Sequence, residues 1–332
     1  MESGTKPAVS VIIPCRNEEK FIAGCLDSIL AQTYPKDKLE VLVIDGQSTD
    51  KTPEIVSSYS ASHPFISLVE NPGVVTPKAM NLGIQKSRGE VIVRLDAHST
   101  YPNDYIEKGI FYLEKYGADN VGGIRQATPA KNTLAAKAIA LTFSSFFGVG
   151  NAQYQTGTKE PREVDTVFCG FYRKEVFNRI GLYNENLIRS QDMELNIRLK
   201  KNGGKIILVP DITVKYFPKS NFTDFFRHNI KDGIWAIVPL KFGIRLKLRH
   251  FIPLFFVAGV IGSLILSAWK GYFLFLTFGI LVLYLAAALY FSIKLVAENK
   301  NFSLLPFVVF AFFVRHFGFG TGSIIGIIKL IV

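Results

Sequence analysis

The chain has 332 residues, 48% of them hydrophobic and 20% charged, with a formal net charge of +11. That length allows one large domain or two moderate ones, each with a substantial buried core. The three cysteines, Cys15, Cys25 and Cys169, are odd in number and lack metal-ligand spacing. They exclude a disulfide framework and read as reduced cytosolic thiols.

No cleavable signal peptide is expected, because the first strand begins within about ten residues and is too short for an apolar signal core. Segments 9–14, 40–45, 66–70 and 91–96 read as short buried strands, separated by stretches of helical period at 18–32, 52–60 and 77–86. Thr76-Pro77 supplies an N-cap and a proline at the first helical position, and Ser48-Thr49-Asp50 offers capping oxygens before the second helix. The alternation predicts an α/β fold with a mostly parallel, right-handed wound sheet that binds ligands at the carboxyl ends of its strands.

Those ends are where the polar residues cluster. Strand one ends in Pro14-Cys15-Arg16-Asn17-Glu18, strand two in Asp45-Gly46-Gln47-Ser48, and strand four in Asp96-Ala97-His98. No glycine-rich loop follows the first strand, which excludes a dinucleotide fingerprint and a Walker loop. A phosphate-bearing ligand would need its charge met by metal, Lys or Arg. Asp96 and His98, two residues apart at the mouth of the sheet, suit a divalent ion gripping a diphosphate.

After Gly123 the pattern loosens. Residues 132–147 form an Ala/Phe-rich helical stretch, followed by a Gly/Asn/Gln/Thr loop to about Glu163, a strand at 167–172 and a helix from about Lys174. A further helix is expected at 190–202. Ser190 can cap it, Asp192 and Glu194 sit in its first turn, Lys200 and Lys201 in its last, and Gly203 follows.

Between Lys215 and Arg249 eight basic residues (Lys215, Lys219, Arg227, Lys231, Lys241, Arg245, Lys247, Arg249) stand against Asp224 and Asp232. Phe222, Phe225, Phe226, Trp235 and Phe242 are interleaved with them. Beyond them, 251–269 and 272–293 carry no charge over 19 and 22 residues. Each is long enough to cross a hydrocarbon layer of about 30 Å as a helix.

A third apolar stretch, 303–328, is interrupted by Arg315 and His316. An Arg near mid-span costs about 2.5–3.5 kcal/mol, so it should snorkel, pair or mark a break. Gly318, Gly322 and Gly326 recur at a spacing that lets two helices approach closely, and the stretch is expected to be a third membrane helix packed against the first two. The organisation expected is a cytosolic domain at 1–220, a basic interfacial segment at 221–250, and about three transmembrane helices within 251–332. By the positive-inside tendency this is a multi-pass plasma-membrane protein with its soluble domain in the cytoplasm. The adjacent spans argue against nucleic acid as the partner of the basic patch.

With these residues placed, the chain resembles the inverting glycosyltransferases of family 2, which have a GT-A-type fold, and among them the membrane-anchored succinoglycan glucosyltransferase subgroup. Four motifs in order carry the resemblance: Val-Ile-Ile-Pro-Cys-Arg-Asn-Glu-Glu (11–19), Val-Ile-Asp-Gly-Gln-Ser-Thr-Asp (43–50), Arg-Leu-Asp-Ala-His (94–98) and Ser-Gln-Asp-Met-Glu-Leu-Asn-Ile-Arg (190–198). It covers roughly 9–218 and, more loosely, the apolar segment.

The resemblance implies roles. Pro14, Asn17 and Glu18 would line the base and ribose of a nucleotide-sugar, and Asp45 would accept a hydrogen bond from uracil. Lys78 and Asn81 match positions near the donor. Asp96 and His98 would hold Mn²⁺ or Mg²⁺ against the diphosphate and assist the departing UDP. The family commonly has a second Asp where His98 stands; imidazole is the softer ligand and favours Mn²⁺, and His98 could instead donate to a phosphate oxygen.

Asp192 corresponds to the general base that takes the acceptor's hydroxyl proton, with Gln191 where a Glu is usual. Glu194 and Arg198 are expected to pair. Plainer roles exist: Asp45 as a turn residue, Lys78 as a solvated lysine, Asp192 as charge compensation at a helix start.

No Gln-x-x-Arg-Trp motif follows Asp192, which implies single-sugar transfer rather than processive synthesis. The function implied is transfer of one sugar from a UDP-sugar, UDP-glucose by the subgroup resemblance, to a polyprenyl-pyrophosphate-linked sugar at the membrane. The alternatives are a polyprenyl-phosphate sugar synthase, whose ionised nucleophile needs no base, and a non-catalytic nucleotide-sugar-binding scaffold.

Overall fold

A computed structural model describes residues 6–244, 246 and 248–331. Of the basic cluster before the apolar helices, Arg245, Lys247 and the side chain of Arg249 lie outside the described residues. The chain divides into two compact units, Met1–Gln126 with Gly157–Tyr216, and Ala127–Thr156 with Phe217–Val332. The segment Ala127–Thr156 thus joins the C-terminal unit, although it lies within the span 1–220.

In chain order the elements are β1 (Val9–Cys15), α1 (Ile22–Leu30), β2 (Leu39–Asp45), α2 (Thr52–Ser62), β3 (Ile66–Glu70), α3 (Thr76–Lys86), β4 (Val91–Arg94), β5 (Ser99–Thr100), α4 (Tyr105–Lys115) and β6 (Asn120–Ala127). Then follow α5 (Leu134–Thr142), α6 (Phe146–Val149), α7 (Gln153–Thr156), β7 (Arg162–Glu163), β8 (Phe168–Arg173), α8 (Glu175–Ile180), α9 (Gln191–Lys201) and β9 (Ile206–Tyr216). The chain closes with α10 (Phe222–Ile237), α11 (Ile252–Ser267), α12 (Phe273–Glu298) and α13 (Leu305–Ile331).

The first unit is built on a nine-stranded sheet whose main path runs β3-β2-β1-β4-β8-β6-β9-β5. β3, β2, β1 and β4 are parallel. Their Val- and Ile-rich strands are buried in the manner of strands covered on both faces. From β4 outward the pairing turns antiparallel, at β4–β8 and β8–β6. The sheet is therefore mixed, and the parallel winding read from the sequence holds for its first half. The core joins β1, β2 and β4 to α1 and α4 through Val11, Ile13, Ile22, Leu26, Val41, Val93, Tyr105 and Ile110.

β1 is the point where the strand order reverses, since the chain moves outward to β2 and β3 on one side and returns to β4 on the other. The β1–β4 pairing ends at Ile12 opposite Arg94, whereas β1–β2 pairing continues to Cys15 opposite Asp45. The missing donor of Pro14 thus falls where β4 has already turned away, the edge-like position a strand proline needs. The split leaves a crevice at the carboxyl ends of β1 and β4, where ligands bind in open α/β sheets.

In the second unit the helix expected at 132–147 is broken into α5 and the single turn of α6. Thr133 caps α5 by accepting from Ala136 N. Among the described residues two helical stretches are long and apolar enough to span a bilayer, Phe273–Glu298 and Phe302–Ile331. α11, the first of the three expected spans, has 16 residues, about 24 Å at 1.5 Å per residue. It stops at Ser267 because Trp269-Lys270-Gly271 turns the chain.

The glycine stripe of α13 faces α10 rather than α11 and α12. A Cβ on Gly322 would lie 2.1 Å from the carbonyl of Ile230, one on Gly326 3.0 Å from that of Ile234, and one on Gly318 3.0 Å from the Phe226 ring. Both sets of numbers rise together, so α10 and α13 run parallel at backbone contact. Only Gly320, off that stripe, meets α11, at Pro253 and Val257. Arg315 is paired: its Nε donates to the Gly148 carbonyl, and its guanidinium lies 4.5 Å from the centre of the Phe143 ring. His316 reaches the Phe147 carbonyl at 2.8 Å and the Tyr284 hydroxyl at 3.0 Å.

Candidate active site

At the ends of β1 and β2 the polar side chains hold backbone. Ser48 N and Oγ donate to Asp45 at 3.0 and 2.5 Å, and the buried Cys15 thiol lies 3.8 Å from the same carboxylate. Burial, then the neighbouring Asp45, pushes that thiol up and keeps it a donor. Asn17 N donates to Ser48 Oγ, and Asn17 Oδ1 accepts from Thr49 N, both at 2.8 Å. Glu18 N donates to Thr52 Oγ1 at 2.8 Å, and Asp50 accepts from Thr52 N at 3.0 Å. Asp50 is the capping oxygen expected before α2.

Gly46 permits the 71–75 loop to close over this turn, since a Cβ there would meet the Val74 carbonyl at 2.5 Å. Asn17, Gln47, Val74, Cys169 and Ser190 all have positive φ, between 49° and 64°. For the β-branched Val74 this is a strained conformation. Ser190 adopts the left-handed form and makes no side-chain cap, so the cap expected from it is not formed.

At the end of β4 the side chains hold one another. Arg94 Nη2 donates to Asp96 Oδ1 at 3.0 Å, and Arg94 Nη1 pairs with Asp192 Oδ2 in the first turn of α9. His98 Nδ1 lies 3.3 Å from Glu18 Oε1, and its ring packs edge-on against Tyr216 at 5.9 Å. The Tyr101 hydroxyl accepts from Asp96 N at 2.8 Å and donates to the Asp96 carbonyl at 3.2 Å, fixing the turn. Burial alone would raise the Asp96 carboxyl; Arg94 and then His98 outweigh it and hold it below the usual range. Burial would likewise lower Arg94, but Asp192 and Asp96 raise it well above its ordinary value.

The structure therefore joins Asp96 to Asp192 through Arg94 and sets His98 against Glu18, with Pro14, Asn17 and Asp45 on the adjoining strand ends. Asn81 is bonded to the loop before α9. Its amide donates to the Tyr183 carbonyl at 3.0 Å and to Glu185 at 2.9 Å, and accepts from Tyr183 N at 2.9 Å, tying α3 to the loop before α9. Lys78 is exposed. Glu194 and Arg198 pair as expected, at 2.8 Å. Sequence reasoning missed Arg94 and Tyr101. The signal for Arg94 was available: a charged residue two positions before Asp96 shares its face of the strand.

Among the described residues no three His, Cys, Asp or Glu side chains converge as a ready-made metal cage. Asp96 and His98 supply one carboxylate and one imidazole. That donor set fits a Mg²⁺ or Mn²⁺ ion that takes its remaining ligands from a diphosphate and water, the usual manner for these ions.

Residues 10–181 match the profile described as glycosyl transferase family 2, just over half of the chain. The chain belongs to glycosyltransferase family 2. Over 330 residues, 96% of this chain and 98% of the relative, it is 27% identical to the dolichyl N-acetyl-alpha-D-glucosaminyl phosphate 3-beta-D-2,3-diacetamido-2,3-dideoxy-beta-D-glucuronosyltransferase of Methanococcus voltae. It is 26% identical over 269 residues to the succinoglycan biosynthesis protein ExoA of Rhizobium meliloti, covering 74% of this chain and 80% of that one. The mannosyltransferase PcManGT of Pyrobaculum calidifontis, solved with GDP-Man and Mn²⁺, superposes with a TM-score of 0.61 at 20% identity, over 98% of this chain and 88% of that one. That likeness shows the GT-A-like fold of the family 2 domain, and its relatives work in lipid-linked glycan biosynthesis.

Proposed function

We propose that this family 2 enzyme is a membrane-anchored inverting glycosyltransferase. It moves one sugar from a UDP-sugar, UDP-glucose as first candidate, to a polyprenyl-pyrophosphate-linked sugar. The observation that carries the reading is the placement of Asp192, in the first turn of α9 and joined through Arg94 to Asp96 at the strand end. A carboxylate for the acceptor thus stands beside one for the donor.

In this mechanism Pro14, Asn17, Glu18 and Asp45 border the nucleoside, and Lys78 lies on the donor side. Asp96 and His98 would hold a divalent ion, which when bound would neutralise charge on the leaving diphosphate. Asp192 accepts the proton of the acceptor hydroxyl while that oxygen bonds to the anomeric carbon and the bond to UDP breaks. An α-linked donor so gives a β-linked product, with the proton on Asp192 and the electron pair on UDP.

Membrane anchoring rests on α12 and α13, and Lys215, Lys219, Arg227 and Lys231 support a cytoplasmic side for the catalytic domain. The name of the Methanococcus relative, whose acceptor is a dolichyl-phosphate sugar, supports a lipid-linked acceptor.

The test uses full-length protein, Mn²⁺, labelled UDP-glucose and polyprenyl-pyrophosphate-linked sugars, counting label in the organic-extractable lipid. Wild type should label the lipid, and Asp192→Asn should lower the rate about 10²–10⁴-fold, the usual contribution of a general base. Label that survives the substitution would point to a lipid phosphate as nucleophile. No label from wild type with UDP-glucose would reject that donor.

A further inference from the structure

We infer that Arg94 is a positioning residue: it holds the carboxylate of Asp192, and its second bond, to Asp96, competes with a divalent cation for that carboxylate. The inference rests on the roles proposed above for those two aspartates. Arg94 forks between them, with its side chain only 13% exposed. Its Nε is buried and finds no acceptor among the described residues. The guanidinium is therefore held by its two carboxylates alone, and a planar fork reaches both at once where an ammonium would not.

The two ends of this strut differ in rigidity. Asp96 is fixed, because Tyr101 bonds both its backbone N and its carbonyl and the Cys25 thiol lies 3.8 Å from the same carbonyl. Asp192 sits in a helix turn whose N-cap, Ser190, is left-handed and supplies no side-chain cap. Arg94 is thus the charged group seen to restrain the carboxylate of Asp192.

Two measurements test this on the full-length protein. The first is Mn²⁺ affinity without sugar-nucleotide, from the electron paramagnetic resonance signal of the free ion. Arg94→Met should bind Mn²⁺ several-fold more tightly than wild type, because no guanidinium competes for Asp96. The second is steady-state transfer. Arg94→Met should lower kcat about 100-fold with the donor KM within about threefold, as expected for lost orientation of a base. Arg94→Lys should recover part of the loss. In a double-mutant cycle, adding Arg94→Met to Asp192→Asn should cost nothing further.

Weaker Mn²⁺ binding in Arg94→Met, a kcat within threefold of wild type, or additive losses in the cycle would each overturn the inference. If Arg94→Met does not fold, the same cycle run with Arg94→Lys decides. Full transfer by Asp192→Asn would sink the base assignment instead, while the Mn²⁺ titration would still report on Arg94 and Asp96.

Discussion

The carboxyl ends of β1 and β2 differ in kind from the ends of β4 and α9, although all lie along one crevice. At the first pair, Asn17, Asp45 and Asp50 bond mainly to backbone and hydroxyl groups of the turns after β1 and β2. At the second, Arg94, Asp96 and Asp192 bond to one another, and His98 to Glu18. The first arrangement is a rigid frame that needs no ligand to be complete. The second is a set of opposed charges whose pairings, under the proposed function, would be exchanged as a diphosphate and a cation enter. Shape is fixed at one end of the crevice and charge is left adjustable at the other.

Asp96→Ala tests the adjustable end and should have the larger effect. Transfer should fall about 10²–10³-fold, the cost of losing one major electrostatic group at a charged leaving site. Stability should hardly change, because Arg94 keeps its partner Asp192 and the turn is held by Tyr101 through the backbone. A thermal melt and a rate assay on the same preparation suffice. A fall in Tm of more than about 5 °C would mean the cluster is part of the frame after all.

Asp45→Ala should show the opposite ratio. Removing the acceptor leaves Ser48 N, Ser48 Oγ and the Cys15 thiol without it. Buried donors left unpaired cost about 1–3 kcal/mol. In a protein of this size that is a Tm loss of roughly 2–4 °C per kcal/mol. Transfer by the folded fraction should fall by no more than about tenfold, the worth of one hydrogen bond to the base. A large loss of transfer with an unchanged melt would assign Asp45 to the ligand instead of the turn.

Much of the rigid end was legible in the sequence. The buried runs of β1, β2 and β3 begin or end within a residue of the expected boundaries, because a Val/Ile run bounded by turn residues is a local signal. The proximity of Glu18, Asp96 and His98 followed from the rule that parallel strands present their ends together. The antiparallel half was not legible, since β4 takes as its neighbour β8, whose residues lie some eighty positions downstream. The pairing of Arg94 with Asp192, 98 residues apart, is invisible for the same reason. In α13 the glycine spacing announced a close helix contact, but spacing carries no information about which helix arrives. α10 took that place, offering a glycine of its own, Gly233, whose Cβ would lie 2.0 Å from the Phe319 carbonyl.

The far end of β2 supplies the smallest effect and a control for both comparisons. Glu40, opposite Ser10 in the β1–β2 register, accepts from Ser10 Oγ at 2.6 Å, from Arg88 N at 2.9 Å and from Arg88 Nε at 2.8 Å. Burial pushes its carboxyl up, but the bonds from Ser10 and Arg88 outweigh this and leave it below its ordinary value of 4.5. A depressed carboxyl contributes stability above the pKa of the unfolded chain, and the contribution is lost as pH falls through the folded value. Glu40→Gln should therefore cost about 1 kcal/mol at pH 7, in the range of a charged hydrogen bond partly replaced by a neutral one. The difference in Tm from wild type should narrow as pH drops below about 4.5, where the unfolded carboxyl begins to hold its proton. Transfer at pH 7 should be unchanged, because Glu40 sits at the opposite end of β2 from Asp45. A gap that widens in acid would reverse the sign and show that Glu40 is held protonated in the folded sheet.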